Sequence, residues 1–161
     1  MTDNQPKTVR SSQVEMTEMV LPNDCNQLGN LLGGRLMHWI DIAAAIAGQR
    51  HCQRIVVTAS VDELNFLHPI RIGEVVQLLA SVNRVFRTSM EVGVKVRAEN
   101  QLTGLSKHAN TAYLTFVALD ENGKPVSCPP IVPETDEEKR RYDQALMRRE
   151  ERLQHRKRLK G

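Results

Sequence analysis

The sequence is poor in cysteine and in aromatic residues, and it has no long apolar run. Its three cysteines, Cys25, Cys52 and Cys128, are odd in number and lack metal-ligand spacing, which argues against a disulfide framework and against a zinc site. No apolar stretch approaches the length of a membrane-spanning helix, and the N-terminal segment MTDNQPKTVRSSQ lacks the apolar core of a secretion signal. We therefore expect a cytoplasmic protein with free thiols and no membrane span.

The sequence also lacks the short motifs of several enzyme classes. It contains neither the G-x-S-x-G elbow of serine hydrolases nor a glycine-rich phosphate loop. Cys25 would need a histidine base to act as a nucleophile, and the sequence cannot place one beside it. A free buried thiol is the simpler interpretation.

With 161 residues, of which 40% are hydrophobic, the chain suits one globular domain. Its formal charge of +3 is unevenly placed, because residues 136–161 hold ten Lys or Arg against six Asp or Glu. The acids lie near the start of this segment and the bases near its end, as a helix dipole favours. We predict a solvated, partly frayed helical tail over residues 134–161. A basic arm for nucleic acid or anionic lipid is the less favoured alternative, because aromatics for base stacking make up only 4% of the chain.

Hydrophobic patterning predicts one long helix and about five strands. The helix covers residues 35–51, and alternating segments rich in Val, Leu and Thr predict strands at 14–21, 55–66, 74–85, 89–99 and 108–119. This order indicates an α+β fold in which an antiparallel sheet wraps around one helix. Such a sheet leaves two edge strands, so we expect dimers. The predicted domain covers residues 13–133, after a flexible N-terminus at residues 1–12.

Three motifs occur together and in order. The loop reads P-x-D-x-N-x-x-G-x-x-x-G-G from residue 22, the helix L-M-x-x-x-D from residue 36, and the following hairpin N-F-x-x-P-I-x-x-G-E from residue 65. On these motifs, residues 14–120 resemble the hotdog-fold acyl-CoA thioesterases of the acyl-CoA hydrolase type. The resemblance implies a sheet-wrapped central helix and hydrolysis of fatty acyl-CoA to free fatty acid and CoA, without a metal or a bound redox cofactor. It also implies homodimers that assemble further, with a hexamer expected and a tetramer or dimer still open.

Asp41 interrupts the apolar residues of the predicted helix. By composition alone, its carboxylate is solvated or paired with His38 or Arg35, as mid-helix carboxylates commonly are. The resemblance instead implies that Asp41 is the catalytic carboxylate. It would then take a proton from the attacking water or attack the thioester carbonyl to form an anhydride, and the sequence does not choose between these routes.

Gly33 and Gly34 stand where the helix begins, and Asn26 precedes them in the loop. Backbone N–H groups at the positive end of a helix can hold the oxyanion of thioester hydrolysis, whereas a tight turn is the simpler role for two glycines. The resemblance implies that Asn26 is a catalytic partner that faces Asp41 of the other protomer. Its simpler role is to form a turn in a polar loop.

The phosphates of CoA call for cations and N–H donors. One predicted turn resembles the CoA-contacting segment of the family and contains Arg84, Arg87, Thr88 and Ser89. A solvated hairpin tip has the same composition. Asn65 and Phe66 match the family at the start of the next motif and are further candidates for substrate contact, although phenylalanine is more often a core residue.

Two other functions fit parts of the pattern. His68 resembles the histidine of hotdog dehydratases, but those proteins pair it with a helix glutamate where this helix has Asp41. A non-catalytic acyl-CoA sensor or scaffold would keep the fold, but the presence of both Asp41 and Asn26 favours an enzyme. The small residues Ala44, Ala45 and Ala47 suit an acyl chain and close helix packing equally well, so the acyl chain length is not predicted.

Overall fold

The protein, seen in a computed structural model that describes residues 4–161, forms two α-helices and seven strands within those residues. Helix α1 covers Gly33–Cys52 and helix α2 covers Asp136–Lys160. The strands are β1 (Lys7–Thr8), β2 (Val14–Met19), β3 (Ile55–Val61), β4 (Val75–Val85), β5 (Ser89–Glu99), β6 (Ser106–Leu119) and β7 (Ile131–Val132). Short 3-10 helices occupy Val9–Ser12 and Pro22–Asp24.

Five strands form one antiparallel sheet in the order β2-β4-β5-β6-β3, and the sheet curls around α1. Alternate residues of the central strands point at the helix, so that each strand contributes a fully buried apolar row, such as Val76 and Leu78 in β4. On the helix, Ala43, Ala44 and Ala47 are fully buried, which lets α1 approach the sheet closely. The predicted α+β fold with a sheet-wrapped helix is confirmed.

Strand β3 forms one edge of this sheet and pairs only with β6 among the described strands. Its outer side is apolar, because Ile55, Val57 and Val61 are 63%, 43% and 42% exposed. An edge strand of seven residues with exposed apolar side chains is a template for pairing with another chain.

The predicted strand at residues 55–66 ends at Val61, because the chain leaves the sheet towards the first turn of α1. Asp62 still donates its backbone N–H to Tyr113 O at 3.0 Å. Beyond it, the Asn65 carbonyl accepts a hydrogen bond from the side chain of Asn110. Tertiary contacts therefore replace the sheet ladder in this segment.

The two terminal segments are built into the fold. Residues 1–3 of the predicted flexible N-terminus lie outside the described residues, but residues 7–12 form β1 and a 3-10 helix, and β1 pairs in parallel with β7. The C-terminal tail is helical as predicted and runs unbroken to Lys160. It is not simply solvated, because its Ala145 is fully buried against the sheet. Within residues 4–161, neither helix combines the length and apolar character that crossing a membrane requires.

His51 closes the end of α1 as a buried, neutral side chain. Its Nε2 lies 2.6 Å from the carbonyl oxygen of Pro129, and since that oxygen can only accept, Nε2 carries the proton. Nδ1 has no hydrogen-bond partner among the described residues. Lys7 Nζ donates to the His51 carbonyl at 2.8 Å. Burial lowers the pKa of His51, and the positive charge of Lys7 lowers this pKa further.

Candidate active site

Asp41 lies on α1 at the side that faces edge strand β3. Thr58, in the middle of β3, donates its hydroxyl to Asp41 Oδ1 at 2.7 Å. Neither His38 nor Arg35 bonds to Asp41 within the described residues, and Arg35 instead pairs with Asp24 at 3.2 Å. The carboxylate is half-buried. One oxygen is therefore held by a hydroxyl, while the group remains reachable from the edge of the sheet.

Thr58 was not predicted from the sequence. It lies 17 residues after Asp41, and a threonine in a Val-rich strand is ordinary β-sheet composition. No local pattern separates this hydroxyl from other strand threonines, because only the fold brings β3 against the middle of α1.

The first turn of α1 opens into a pocket of about 300 Å³. Its lining combines apolar side chains with three asparagine amides, and the lining residues are Asn26, Asn30, Leu31, Gly33, Leu36, Phe66, His68, Pro69, Ile70 and Asn110. Helix α1 has no capping side chain at Leu32. In the part of the chain that the structure describes, the N–H groups of Gly33 and Gly34 thus have no side-chain acceptor at the helix terminus, where the dipole favours a negative oxygen.

Asn26 lies exposed at the rim of this pocket. Its Oδ1 accepts backbone hydrogen bonds from Leu28 at 2.9 Å and from Asn30 at 3.1 Å, which builds the turn before the helix. Its Nδ2 makes no hydrogen bond within the described part of the chain. The turn-forming role and the predicted catalytic role are thus compatible, because they use different atoms of the same amide.

Phe66 closes the pocket from the side of β3, whereas the neighbouring Asn65 does not line it. Ring atoms of Phe66 lie 3.4 Å from the position that a Cβ on Gly33 would take, so the ring packs on the first turn of α1. The side chain of Asn110, which lines the pocket, donates a hydrogen bond to the backbone carbonyl of Asn65. Asn110 is buried and was not singled out from the sequence, since it lies 45 residues away from this partner.

The two groups of residues do not meet within one chain. Asp41 is eight residues beyond Gly33, which is about 12 Å along a helix axis. Asp41 does not line the pocket that contains Asn26 and Gly33. Each chain therefore presents two half-sites, one with Asp41 and Thr58 and one with Asn26 and Gly33.

The predicted CoA-contacting residues lie at the turn between β4 and β5. Ser89 pairs with Val117, which in turn pairs with Val57 of β3, so the turn lies about two strand spacings, or about 10 Å, from the strand that carries Thr58. The Arg87 side chain is exposed there, while its backbone carbonyl accepts a hydrogen bond from Cys128 at 2.8 Å. The Thr88 carbonyl is likewise held by a backbone N–H.

Arg84 serves a different contact. Its guanidinium lies 4.0 Å from the centre of the Tyr142 ring, and Nη1 donates to the Tyr142 carbonyl at 3.2 Å. The structure thus assigns Arg84 to the docking of α2, and leaves Arg87 as the exposed guanidinium of the turn.

The three cysteines are free thiols in different surroundings. Cys25 is only partly buried, where a buried thiol was predicted, and its Sγ donates to the Leu21 carbonyl at 3.4 Å. Cys52 and Cys128 are buried free thiols. Burial raises the pKa of Cys52, and burial raises the pKa of Cys128 to about 12. Thiolates are the reactive form of cysteine, so these two side chains are inert near neutral pH.

Comparisons with known proteins agree with this architecture. Residues 28–105 match the family model of the thioesterase superfamily. An uncharacterized acyl-CoA thioester hydrolase of Bacillus subtilis is 48% identical over 89% of this chain and 83% of its own length. An acyl-CoA hydrolase of Staphylococcus aureus, solved in complex with butyryl-CoA, CoA and CoA disulfide, is 40% identical with a TM-score of 0.90, over 96% of this chain and 94% of that one. A hexameric acyl-CoA thioesterase is 40% identical with a TM-score of 0.91, over 94% and 97% of the two chains.

Three further structures of the Staphylococcus aureus hydrolase carry single alanine replacements. In the order aspartate, asparagine and threonine variant, their TM-scores are 0.91, 0.92 and 0.89 and their identities to this chain are 39, 39 and 40%. The matches cover 97, 98 and 96% of this chain and 95 to 96% of the hydrolase chains. In the numbering of that hydrolase, the replaced aspartate, asparagine and threonine stand two positions higher than Asp41, Asn26 and Thr58 of this chain, respectively.

The curled sheet, its single central helix and these relatives define a thioester hydrolase. The chain belongs to the hotdog-fold acyl-CoA thioesterases. The non-catalytic sensor and the hotdog dehydratase are accordingly not supported, while the substrate and the roles of individual residues belong to the proposal that follows.

Proposed function

We propose that two copies of this chain form a shared site that hydrolyses fatty acyl-CoA to free fatty acid and CoA. Asp41 and Thr58 come from one copy, and Asn26 and Gly33 come from the other. The observation that carries the proposal is the separation of these two half-sites within one chain. The constant numbering offset to the altered residues of the Staphylococcus aureus hydrolase supports the choice of Asp41, Asn26 and Thr58.

Pairing of two β3 edges explains how the half-sites meet. An antiparallel pair of β3 strands would bury the exposed Ile55, Val57 and Val61 and extend the sheet across both copies. The twofold axis reverses the second copy, so the pocket of one copy approaches the Asp41 end of the other. The turn that contains Arg87 lies at this same end and is suited to the CoA phosphates.

Each group then has a chemical task. The N–H groups of Gly33 and Gly34 and the amide of Asn26 hold the thioester oxygen as it gains negative charge. Asp41 either takes the proton of a water that attacks the carbonyl carbon, or attacks that carbon itself to form an anhydride that water then opens. In both routes the C–S bond breaks, CoA leaves as a thiolate that is then protonated, and the fatty acid is released. Both routes use only side chains, backbone and water.

The similarity to a hexameric acyl-CoA thioesterase supports further assembly of these dimers. We propose a hexamer built of three dimers, in which every site lies within a dimer. A dimer or tetramer would keep the same sites, so the shared-site proposal does not depend on the final number of copies.

The test is hydrolysis of acyl-CoA esters from acetyl to palmitoyl by the wild type and by Asp41→Asn. The release of the CoA thiol measures the reaction. The variant keeps the size of the side chain and removes its basicity, so turnover should fall by about 10²- to 10⁴-fold. Asp143→Asn makes the same chemical change at an exposed position of α2 and should retain wild-type turnover. A folded Asp41→Asn protein that retains wild-type turnover would exclude Asp41 as base or nucleophile.

A further inference from the structure

A cluster of charged and amide side chains lies on the outer face of the sheet, opposite α1, and we call it the outer polar cluster. Its members come from three strands or strand ends and from α2: Asp62, Asn83, Glu91, Arg148 and Arg152. At its centre Glu91 of β5 is fully buried. Its function is not explained by the proposed reaction, since none of these residues lines the pocket at Asn26.

Every oxygen of the buried carboxylate is bonded. Arg148 donates from Nη2 to Glu91 Oε1 at 2.7 Å and from Nε to Oε2 at 3.0 Å. Asn83 donates to Oε1 at 3.0 Å, and the glycine at position 93 leaves room for it, because a Cβ there would lie 2.7 Å from Asn83 Nδ2. Removing either partner of such a buried ion pair is costly. The pair of Glu91 with Arg148 therefore fixes the position of α2 on the sheet.

Arg152 extends this cluster to the end of the edge strand. Its Nη1 lies 3.1 and 3.0 Å from the two carboxylate oxygens of Asp62 and 3.5 Å from Glu91. Both side chains of the pair are only 18% exposed. Arg148 packs 3.6 Å from the centre of the Tyr113 ring, and the Tyr113 carbonyl accepts the N–H of Asp62. Asp62 is therefore held by α2 through its side chain and by β6 through its backbone.

The position of Asp62 in the chain links this contact to both half-sites. It follows directly after β3, four residues beyond Thr58 and four residues before Phe66. Because β3 pairs on one side only among the strands of residues 4–161, no second strand of that range holds its exit. Between the hydroxyl that orients Asp41 and the ring that packs on Gly33, the segment is held by the ion pair of Asp62 with Arg152 and by the hydrogen bond from Asn110 to the Asn65 carbonyl.

We propose that Asp62 and Arg152 are positioning residues for thioester hydrolysis, through which α2 sets the alignment of β3 and of the pocket segment after it. This inference rests on the proposed function. The part of α2 around Arg152 then helps to position the site, although it contacts no reacting atom.

The test compares variants that break this contact with one that loosens α2 elsewhere. Asp62→Asn and Arg152→Gln remove the ion pair, while Ala145→Gly weakens α2 at a buried residue and keeps both partners of the ion pair. Arg152→Lys is the rescue variant, because the contact uses a single nitrogen that an ammonium can replace. For each protein we would measure kcat, KM, melting temperature, oligomeric state and amide hydrogen exchange over residues 55–66.

We expect Asp62→Asn and Arg152→Gln to lower kcat by about tenfold to hundredfold, with a smaller change in KM, because small misplacements of reacting groups have effects of this size. Exchange over residues 55–66 should become faster in both. Arg152→Lys should recover most of the turnover, and Ala145→Gly should retain it at a matched loss of melting temperature. Equal kcat losses in Ala145→Gly and Asp62→Asn, or wild-type kcat in Asp62→Asn, would overturn the inference.

Hydrogen exchange separates failure of this inference from failure of the proposed function. If the wild type hydrolyses none of the acyl-CoA esters, the proposed function fails, and exchange alone decides whether the contact positions β3. Faster exchange over residues 55–66 in Asp62→Asn but not in Ala145→Gly would still support the positioning role. Unchanged exchange would refute it.

Discussion

Replacement of Thr58 by valine tests the half-site that the sequence did not reveal. Valine has nearly the same shape and suits a strand, so Thr58→Val should fold normally while losing the 2.7 Å hydrogen bond to Asp41 Oδ1. A hydrogen bond to a charged group contributes about 1.5–3 kcal/mol. At about 1.36 kcal/mol for each factor of ten in rate, loss of that orientation lowers kcat by about 10- to 150-fold. The lower end applies if the second copy leaves Thr58 in contact with water.

The assay is thiol release from the best acyl-CoA ester of the panel, with kcat and KM determined separately. Because Thr58 acts on Asp41 and not on the CoA portion, KM should change little. Thr58→Ser retains the hydroxyl and is the matched control, with turnover expected close to the wild type. If Thr58→Val keeps its fold, its oligomeric state and wild-type kcat, then the hydroxyl does not orient Asp41 for the reaction and our assignment of this half-site is wrong.

Two further predictions concern assembly and pH. Val57→Lys places a charge on the exposed edge strand, so size-exclusion chromatography should show smaller species, and these should have reduced turnover. Val132→Lys, at a similarly exposed valine of β7, should keep the wild-type size and turnover. Full turnover in monomers would contradict a shared site. Burial lowers the pKa of His51 in the folded protein. The contribution of its neutral side chain to the free energy of unfolding is therefore complete above about pH 6.5 and is lost as the pH falls through the folded-state pKa. Over this range the free energy of unfolding falls by up to about 1.4 kcal/mol per pH unit. Denaturant unfolding at several pH values should show that acid lowers the free energy of unfolding less steeply in His51→Gln than in the wild type or in the exposed His155→Gln. Identical slopes in all three proteins would refute a buried neutral His51.

The placement of Arg84 shows why a motif alone was an incomplete guide to the substrate site. The sequence groups Arg84 with Arg87 in one turn, since it cannot show what lies above that turn. In the fold, Tyr142 of α2 covers the Arg84 guanidinium, and Arg87 remains exposed. The same helix was predicted as a solvated tail, because its composition is strongly charged. Its ion pairs with Glu91 and Asp62 join residues 57 and 90 positions apart, which no local pattern can reveal.

Local patterns in the sequence were enough to determine the long helix, the order of the main strands and the α+β class, because helix and strand periodicities are properties of neighbouring residues. The ordered motifs were enough to single out Asp41, Asn26, Gly33 and Phe66. Only the tertiary structure decided that Thr58 bonds to Asp41, that Asn110 holds the pocket segment, and that the pocket and Asp41 lie apart in one chain. These relations depend on how the sheet curls around α1 and on which strand becomes its edge. Such long-range geometry is set by packing of the whole chain and is not contained in any short stretch of it.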